Sequence, residues 1–255
     1  MRKVIKKMNF NNKVILITGA SRGIGASTAK EFARLGGNII INYNNSETEA
    51  FTLKKELEDN YNVKCICIKA DVSIEEEVKA MIEQSIQVFG KIDVLVNNAG
   101  IAIDSVFEDK TISTFRKTLD INLIGTFLVS KYVSKYMLDN KYGKIINIGS
   151  TNGIDDYYPF SLEYDASKAG VISLTNNLAT QFAPYINVNC VAPGWVLTEM
   201  NKDLSKEFKD DCLRKILKER FAKPEEIAKT VVFLASDDAE FINSTVIRVD
   251  GGMKR

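Results

Sequence analysis

The sequence predicts a single α/β domain in which helices cover both faces of a parallel β-sheet of about seven strands. Short runs rich in β-branched residues recur along the chain, and longer segments with helical periodicity separate them. The runs are almost continuously apolar, which is typical of strands that are buried on both faces. Strands that alternate with helices are joined by right-handed crossovers and therefore lie parallel in one sheet.

The apolar runs themselves predict strands at residues 13–18, 38–43, 63–69, 92–97, 144–149, 186–192 and 245–249. Helices are predicted between them, at residues 26–35, 46–60, 73–89, 111–138, 163–182 and 224–234. Ser73 followed by Glu76 matches a capping box, which should begin the third helix. Pro224 and the two acids behind it are typical of a first helical turn.

Composition and charge exclude several classes of protein. The chain has 255 residues, of which 45% are hydrophobic and 26% are charged, and its formal net charge is +1. This balance indicates a globular protein without the basic surface that nucleic acids require. No apolar run approaches the roughly 20 residues that cross a bilayer, so no membrane partner is expected.

The first nine residues are predicted to form a flexible extension to one domain that spans residues 10–255. Residues 1–7 carry four positive charges, but no apolar segment follows, so they do not form a secretory signal. Chain termini are usually poorly ordered unless something ties them down. We expect residues 199–220 to cover the substrate as a small lid. Its apolar contacts should be Leu204, Phe208, Leu213 and Leu217.

The chain contains no histidine. This excludes Ser-His-Asp triads, Cys-His dyads and histidine-based zinc sites, and we predict no metal centre. Acid–base chemistry must therefore use Tyr, Lys, Asp, Glu or Cys side chains. The four cysteines form no Cys-x-x-Cys pair, which favours free thiols in a reducing, cytoplasmic location.

A glycine-rich segment at residues 18–25, with the sequence TGASRGIG, joins the first strand to the first helix. Between a strand and a helix, glycines let the backbone approach a phosphate closely, and the free N–H groups at the start of the helix bind it. The segment therefore predicts a dinucleotide-binding site at the end of the first strand.

The Gly-x-x-x-Gly-x-Gly spacing of this segment resembles the fingerprint of the short-chain dehydrogenase/reductase family. Further motifs match in family order: Asp71-Val72, Asn97-Asn98-Ala99-Gly100, Asn122, Ser150, Tyr164 with Lys168, Pro193-Gly194 with Thr198, and Val249-Asp250-Gly251-Gly252. The resemblance covers residues 10–252. It implies a Rossmann-type, doubly wound fold and hydride transfer between a nicotinamide cofactor and a ketone or secondary alcohol.

Tyr164 and Lys168 are four residues apart and should share one face of a helix. A free phenol has a pKa near 10 and is a poor base at neutral pH. A neighbouring ammonium, together with the positive nicotinamide of an oxidised cofactor, should lower that pKa. The two residues therefore form a plausible acid–base pair in a chain without histidine.

The family resemblance implies a role for each catalytic residue. Ser150 would hydrogen-bond the carbonyl oxygen of the substrate, and Tyr164 would give that oxygen a proton during reduction. Lys168 would bind the nicotinamide ribose and tune Tyr164, while Asn122 would hold a water that passes protons towards Lys168. The cofactor supplies the hydride, and the protein supplies orientation and electrostatics.

The resemblance also implies a set of cofactor contacts. They are Gly19, Ser21, Arg22, Gly23, Ile24, Gly25, Tyr43, Asn44, Asp71, Val72, Asn98, Ala99, Gly100, Tyr164, Lys168, Pro193, Gly194, Val196 and Thr198. NAD-selective members carry an acid where the second strand ends, and this chain has Tyr43 there. Arg22 is placed to attract a 2′-phosphate, so we predict NADP(H), with NAD(H) as the alternative.

Motif order and length most resemble the 3-oxoacyl-[acyl-carrier-protein] reductases within the family. Such reductases are expected to hold the acidic carrier protein with two basic residues. Lys141 is in the first place, but Ala183-Pro184-Tyr185 stands near the second. The alternative is a dehydrogenase that acts on a sugar, a steroid or another small alcohol. A non-catalytic binding protein is disfavoured, because such members usually lose the tyrosine or the lysine.

The helices at residues 111–138 and 163–182 carry more apolar residues than one side of a sheet can cover. In family members such helices pair across a two-fold axis, so we predict a homotetramer with D₂ symmetry. The alternative is that the apolar residues simply face the sheet. The residues concerned are Leu119, Leu123, Phe127, Val133, Ala166, Ala169, Gly170, Leu174 and Leu178.

Overall fold

The computed structural model describes residues 8–202 and 204–254, and within them seven strands form one parallel sheet in the order β3-β2-β1-β4-β5-β6-β7. The strands are β1 Val14–Ile17, β2 Asn38–Tyr43, β3 Cys65–Lys69, β4 Val94–Asn97, β5 Gly143–Ile148, β6 Ile186–Pro193 and β7 Val246–Val249. Each begins and ends within two residues of the predicted bounds; β1, β4, β5 and β6 are buried along their whole length, whereas β7 is only partly buried. The predicted fold class is confirmed.

Helices connect the strands and cover both faces of the sheet. They are α1 Gly23–Arg34, α2 Glu47–Asn60, α3 Glu75–Phe89, α4 Ile112–Leu119, α5 Gly125–Asp139, α6 Leu162–Phe182, α7 Lys206–Lys215 and α8 Pro224–Ala235. Alternate residues of β1 show the two layers, since Ile15 and Ile17 join one apolar cluster while Val14 and Leu16 join the other. One layer contains α1 and α8, and the other contains α3 and α5.

The segment predicted as one helix at residues 111–138 is helical throughout but contains a π-helical turn. This turn, Asp120–Ile124, follows α4 directly and leads directly into α5. A π turn adds one residue to a helical turn and rotates the side chains around it, and such turns are frequent at functional sites. Here the rotated residue is the predicted catalytic Asn122, which is buried.

The capping box predicted for Ser73 and Glu76 is wrong. The Ser73 hydroxyl donates to Asp71 Oδ1 at 2.6 Å, and the Ser73 backbone N–H donates to the same oxygen at 2.9 Å. Because Asp71 engages the serine in a turn, α3 begins later, at Glu75, and its cap Ile74 makes no side-chain hydrogen bond. Pro224 does begin α8, as predicted.

The two halves of the sheet, β3-β2-β1 and β4-β5-β6-β7, join between β1 and β4, where the chain switches from one side of β1 to the other. In doubly wound folds a crevice opens outside the carboxyl ends of the strands at this point. Of the flexible extension predicted at residues 1–9, residues 1–7 lie outside the described residues, whereas Met8 packs against the core. No helix in the described ranges is long and apolar enough to cross a bilayer.

Candidate active site

A cleft of about 890 Å³ lies at the carboxyl ends of the strands, around the switch between β1 and β4. It is lined by nearly every residue predicted to bind cofactor or substrate. These are Gly19, Ser21, Arg22, Gly23, Ile24, Tyr43, Asn44, Asp71, Val72, Asn98, Ala99, Gly100, Ser150, Tyr164, Lys168, Pro193, Gly194, Val196 and Thr198. Of the predicted set, only Gly25 and Asn122 do not line the cleft, and both are buried.

The glycine-rich turn can hold a dinucleotide phosphate. Gly19 and Gly23 have φ angles of +59° and +57°, which L side chains rarely adopt. A Cβ on Gly25 would lie 2.6 Å from both Gly19 O and the side-chain nitrogen of Asn98. The cradle therefore exists only with glycine at these positions, and α1 begins within it with its positive dipole end and free N–H groups.

The side chain of Asn98 forms hydrogen bonds with the backbone of the glycine-rich turn. Its side-chain nitrogen donates to Thr18 O at 2.9 Å and to Gly19 O at 3.0 Å. The Thr18 hydroxyl oxygen accepts from the backbone N–H groups of Asn98 and Ala99 at 2.9 and 3.0 Å. These bonds tie the end of β4 to the glycine-rich turn, so the two sides of the cleft are fixed relative to each other.

A carboxylate that the sequence analysis overlooked lies beside the end of β2. The Tyr43 hydroxyl donates to Glu47 Oε1 at 3.1 Å, and Glu47 belongs to the first turn of α2. Tyr43 lines the cleft and is mostly buried, whereas Glu47 does not line the cleft. Next to them, Asn44 Nδ2 donates to Asp71 Oδ2 at 2.9 Å. Glu47 is close in sequence to Tyr43, but only the helix that starts between them brings the two side chains together.

Tyr164 lies in the first turns of α6, and Ser150, which follows β5, acts on its phenol. Desolvation raises the pKa of Tyr164 to about 12; the Ser150 hydroxyl opposes the shift, and the carboxylates of Asp165 and Asp104 add to it. Tyr164 therefore holds its proton at neutral pH. Lys168 is not among the causes of this shift, so the lowering of the pKa by Lys168 together with an oxidised cofactor stays a prediction.

Lys168 is buried beneath the cleft, one turn of α6 after Tyr164. Its ammonium donates to Ile148 O at 2.7 Å and lies 5.5 Å from the centre of the Tyr164 ring. Desolvation lowers the pKa of Lys168 to about 8, against the charge of Cys190, which raises it. The bond to Ile148 O holds the ammonium at the end of β5, on the same side of the sheet as Ser150.

Asn122 joins α5 and α6 to the loop after β4. Its Oδ1 accepts from Ile101 N at 2.8 Å, and its Nδ2 donates to Ile101 O at 2.9 Å and to Ser167 Oγ at 3.0 Å. A Cβ on Gly100 would lie 3.2 Å from Asn122 Oδ1 and 3.6 Å from Lys168 Nζ. Asn122 and Lys168 therefore approach the same glycine, and the four predicted catalytic residues meet around one end of the cleft.

Asn152 is a site residue that sequence reasoning missed. The Ser150 hydroxyl donates to Asn152 Oδ1 at 3.4 Å, and it accepts from the Asn152 backbone N–H at 3.2 Å. The side-chain nitrogen of Asn152 donates to Asp165 Oδ1 at 2.8 Å. The orientation of Ser150 is thus linked to α6. An amide two residues after the serine was the only available signal.

The segment at residues 199–220, predicted to be a lid, contains a helix, α7, that was not predicted. Phe208, Leu204 and Leu213 pack with the buried Cys212, Ile216 and Phe221, as expected for apolar contacts. The expectation for Leu217 is wrong, since its side chain is 65% exposed. Tyr158 and Trp195 pack against Phe208 with ring centres 5.3 Å away in each case, which attaches the lid to the loops after β5 and β6.

Comparisons with known proteins agree with this geometry. Residues 19–254 match a family described as enoyl-(acyl carrier protein) reductase. The chain is 41% identical over 243 residues to 3-oxoacyl-[acyl-carrier-protein] reductase FabG of Staphylococcus epidermidis, covering 95% of this chain and 99% of that one. The chain belongs to the short-chain dehydrogenase/reductase family. It is therefore an oxidoreductase of a family that uses nicotinamide cofactors.

Two solved structures of this family show the same fold. A 3-oxoacyl-[acyl-carrier protein] reductase from Brucella melitensis superposes with a TM-score of 0.90 at 28% identity, covering 97% of this chain and 93% of that one. Levodione reductase superposes with a TM-score of 0.87 at 32% identity, covering 96% and 98%. Their named activities differ, so the fold of a short-chain dehydrogenase/reductase does not by itself identify its substrate.

Proposed function

We propose that the chain is an NADP(H)-dependent 3-oxoacyl-[acyl-carrier-protein] reductase. Its class of oxidoreductases is named for the oxidation of CH–OH groups, and the proposed reaction is the reverse, the reduction of a ketone to a secondary alcohol. The observation that carries the proposal is the convergence of Ser150, Tyr164, Lys168 and Asn122 on one end of the cleft. The nearly full-length similarity to reductases of this name supports the substrate class.

The chain's own residues supply the proton and the orientation in this reaction. A bound nicotinamide cofactor supplies the hydride when a ketone is reduced. Ser150, whose hydroxyl oxygen accepts from the Asn152 backbone N–H, turns its O–H from Asn152 Oδ1 to the carbonyl oxygen of the substrate and stabilises its developing negative charge. The Tyr164 hydroxyl transfers its proton to that oxygen, and the raised pKa of Tyr164 keeps the proton available at neutral pH.

Lys168 and Asn122 serve the proton donor rather than the substrate. Lys168 contacts the nicotinamide ribose and stabilises the charge that Tyr164 carries once its proton has left. Asn122, whose side chain binds both backbone groups of Ile101, holds the water that returns a proton towards Lys168. These two roles follow the family resemblance, and the burial of both side chains is consistent with them.

The preference for NADP(H) rests on Arg22 and Tyr43. Arg22 is exposed at the rim of the cleft, and Glu47 is turned towards the Tyr43 hydroxyl rather than lining the cleft. Arg22→Ala should weaken the affinity for NADPH about tenfold or more and the affinity for NADH less than about twofold. The reason is that a charge-assisted hydrogen bond to the 2′-phosphate contributes roughly 1.5–3 kcal/mol to binding. Adding Tyr43→Asp should invert the preference.

Dissociation constants of both cofactors measured by fluorescence check this expectation. Arg34→Ala is the matched control, because Arg34 is an exposed arginine at the other end of the same helix and is paired with Glu31. Equal losses of NADPH and NADH affinity in Arg22→Ala would contradict the assignment of Arg22 to the 2′-phosphate.

One observation favours a different substrate. Tyr185 stands near the place where a second carrier-binding basic residue is expected, and the Lys141 ammonium lies 5.9 Å over its ring. This leaves one cation instead of two for an acidic carrier protein, so a sugar, a steroid or another small alcohol is the second candidate. The discriminating experiment is a screen at fixed NADPH that compares a 3-oxoacyl thioester with sugars, steroids and diketones. A higher kcat/KM for any of the latter would overturn the proposed substrate.

We further propose a homotetramer in the cytoplasm, where a reducing environment suits the free thiols of Cys65, Cys67, Cys190 and Cys212. Phe127, Ala166 and Ala169 are exposed on α5 and α6 and are available to a second copy. Val133 and Leu178, predicted to share that surface, instead pack in the core. A mass near that of one chain in light scattering at micromolar concentration would rule out the tetramer.

A further inference from the structure

Lys110 is a nearly buried cation in the loop between β4 and α4, and the mechanism above does not use it. Its side chain is 7% exposed. The ammonium donates to Phe160 O at 3.0 Å, to Ser105 Oγ at 3.2 Å and to Ile103 O at 3.3 Å. One side chain thus binds its own loop and the loop that follows Ser150.

The fourth partner of Lys110 is Glu163, the residue next to Tyr164 in α6. Glu163 Oε2 lies 2.6 Å from the Lys110 ammonium, and the Glu163 side chain is fully buried. Within the described ranges, neither carboxylate oxygen of Glu163 has a hydrogen-bond partner, so its contact with Lys110 is an ion pair. The only cation in contact with this carboxylate among the described residues is therefore Lys110, and it reaches the catalytic helix from the opposite wall of the cleft.

The loop that Lys110 closes forms part of the cleft. Ile101, Ala102 and Ile103 line it, and the Ser105 backbone N–H donates to Phe160 O at 3.1 Å. Phe160 O therefore accepts from two groups of this loop, the Ser105 N–H and the Lys110 ammonium. Three segments, the loop after β4, the loop after β5 and the start of α6, meet at one ammonium group.

Stability alone is a weak reason for such a pair. Removing two charges from water costs about as much as their attraction returns, so buried ion pairs often add nothing over apolar side chains of similar volume. An ammonium with directed N–H donors does, however, fix the positions of its acceptors relative to one another. A pair that gains little stability but fixes three segments at once is better explained by the geometry that it imposes.

We propose that Lys110 is a positioning residue: its buried ion pair with Glu163 holds the loop at residues 101–111 against the catalytic helix and so sets the substrate wall beside Tyr164. The proposal rests on the proposed carbonyl reduction. It assigns to Lys110 no contact with substrate or cofactor.

The first test measures the loop without any turnover. In K110M the long side chain is kept, but Glu163 loses its cation. Hydrogen–deuterium exchange of the amides at residues 101–111 and 154–161 should rise about tenfold or more, while exchange in β1, β2 and α1 stays unchanged. K79M is the matched control, because Lys79 lies 2.6 Å from Glu76 in an exposed pair. Unchanged exchange at residues 101–111 in a folded K110M variant overturns the proposal.

The second test is kinetic. In K110M, kcat/KM for the carbonyl substrate should fall about 10²-fold, the effect of misplacing a substrate by roughly 1 Å, while the dissociation constant of NADPH changes less than about twofold. Adding E163Q removes the uncompensated buried charge, so kcat/KM of K110M/E163Q should be about tenfold higher than that of K110M. E163Q alone should lower kcat/KM only several-fold, because the amide oxygen can still accept from Lys110.

The outcomes separate positioning from packing. If K110M and K110M/E163Q are equally impaired, the volume of Lys110 matters rather than its charge, and the proposal is wrong. If exchange rises but kcat/KM is unaffected, the loop does not set the substrate wall and the proposal also fails. A wild-type chain that reduces no carbonyl in the screen refutes the proposed function instead, and the exchange experiment still decides whether Lys110 fixes the loop.

Discussion

Replacing Tyr164 with phenylalanine should lower kcat for carbonyl reduction by roughly 10²–10⁴, the usual contribution of a positioned general acid. The substitution removes the phenol hydroxyl on which Ser150 acts and keeps the ring beside Lys168. Cofactor affinity should change little, because the phosphate cradle lies in the glycine-rich turn. Steady-state kinetics and NADPH titration on the same preparation measure both quantities.

Tyr157→Phe is the matched control for this substitution. Tyr157 is 78% exposed, lies outside the lining of the described cleft and has no lysine four residues later. Its removal should leave kcat unchanged. Near-normal turnover in Tyr164→Phe would mean that another group donates the proton, and a chain without histidine offers few candidates for it.

Gly153→Ala should lower kcat/KM by about 10²-fold through the position of Ser150 rather than through any lost functional group. A Cβ on residue 153 would lie 2.5 Å from the carbonyl carbon of Lys168 and 2.6 Å from the backbone nitrogen of Ala169. Both are main-chain atoms inside α6 and cannot give way cheaply. The turn at Thr151–Gly153 must therefore move, and Ser150, which caps it, moves with it.

Gly90→Ala separates this effect from a general loss of stability. Gly90 ends α3 with a φ of +75°, and a Cβ there would meet no atom within 4 Å. Alanine at that position should cost roughly 1–2 kcal/mol in the free energy of unfolding, because of its left-handed backbone, and leave kcat/KM intact. If Gly153→Ala retains wild-type kcat/KM, close contact between the turn and α6 does not position Ser150.

The strands were predictable because each is a short segment dominated by apolar, mostly β-branched residues, as strands that are largely buried on both faces require. Most of the cleft was predictable for a different reason. The carboxyl ends of parallel strands meet at one edge, so motifs that follow β1, β4, β5 and β6 must converge there. Nearly every residue named from those motifs lines the cleft.

The contacts that could not be predicted join residues with no fixed spacing. Lys110 and Glu163 are more than 50 positions apart, and nothing in either neighbourhood identifies the other. The wrong prediction of a capping box at Ser73 has a local cause. The carboxylate of Asp71, two residues earlier, binds the Ser73 hydroxyl that would otherwise cap the helix. The π turn at Asp120–Ile124 was missed because its apolar pattern does not differ visibly from that of an α-helix. The raised pKa of Tyr164 depends on desolvation, which spacing does not reveal.

The aromatic contact between the lid and the loop after β6 gives this chain an internal optical reporter. Trp195 is its only tryptophan. Phe208 of α7 lies 5.3 Å from the Trp195 ring, Tyr158 lies 6.1 Å away, and Phe221 stacks on it at 5.9 Å. An indole in such surroundings changes its emission when a neighbouring ring is exchanged for water. The tryptophan emission of the unlabelled protein, excited selectively over its nine tyrosines, therefore comes from one known position, where the predicted lid segment touches the domain.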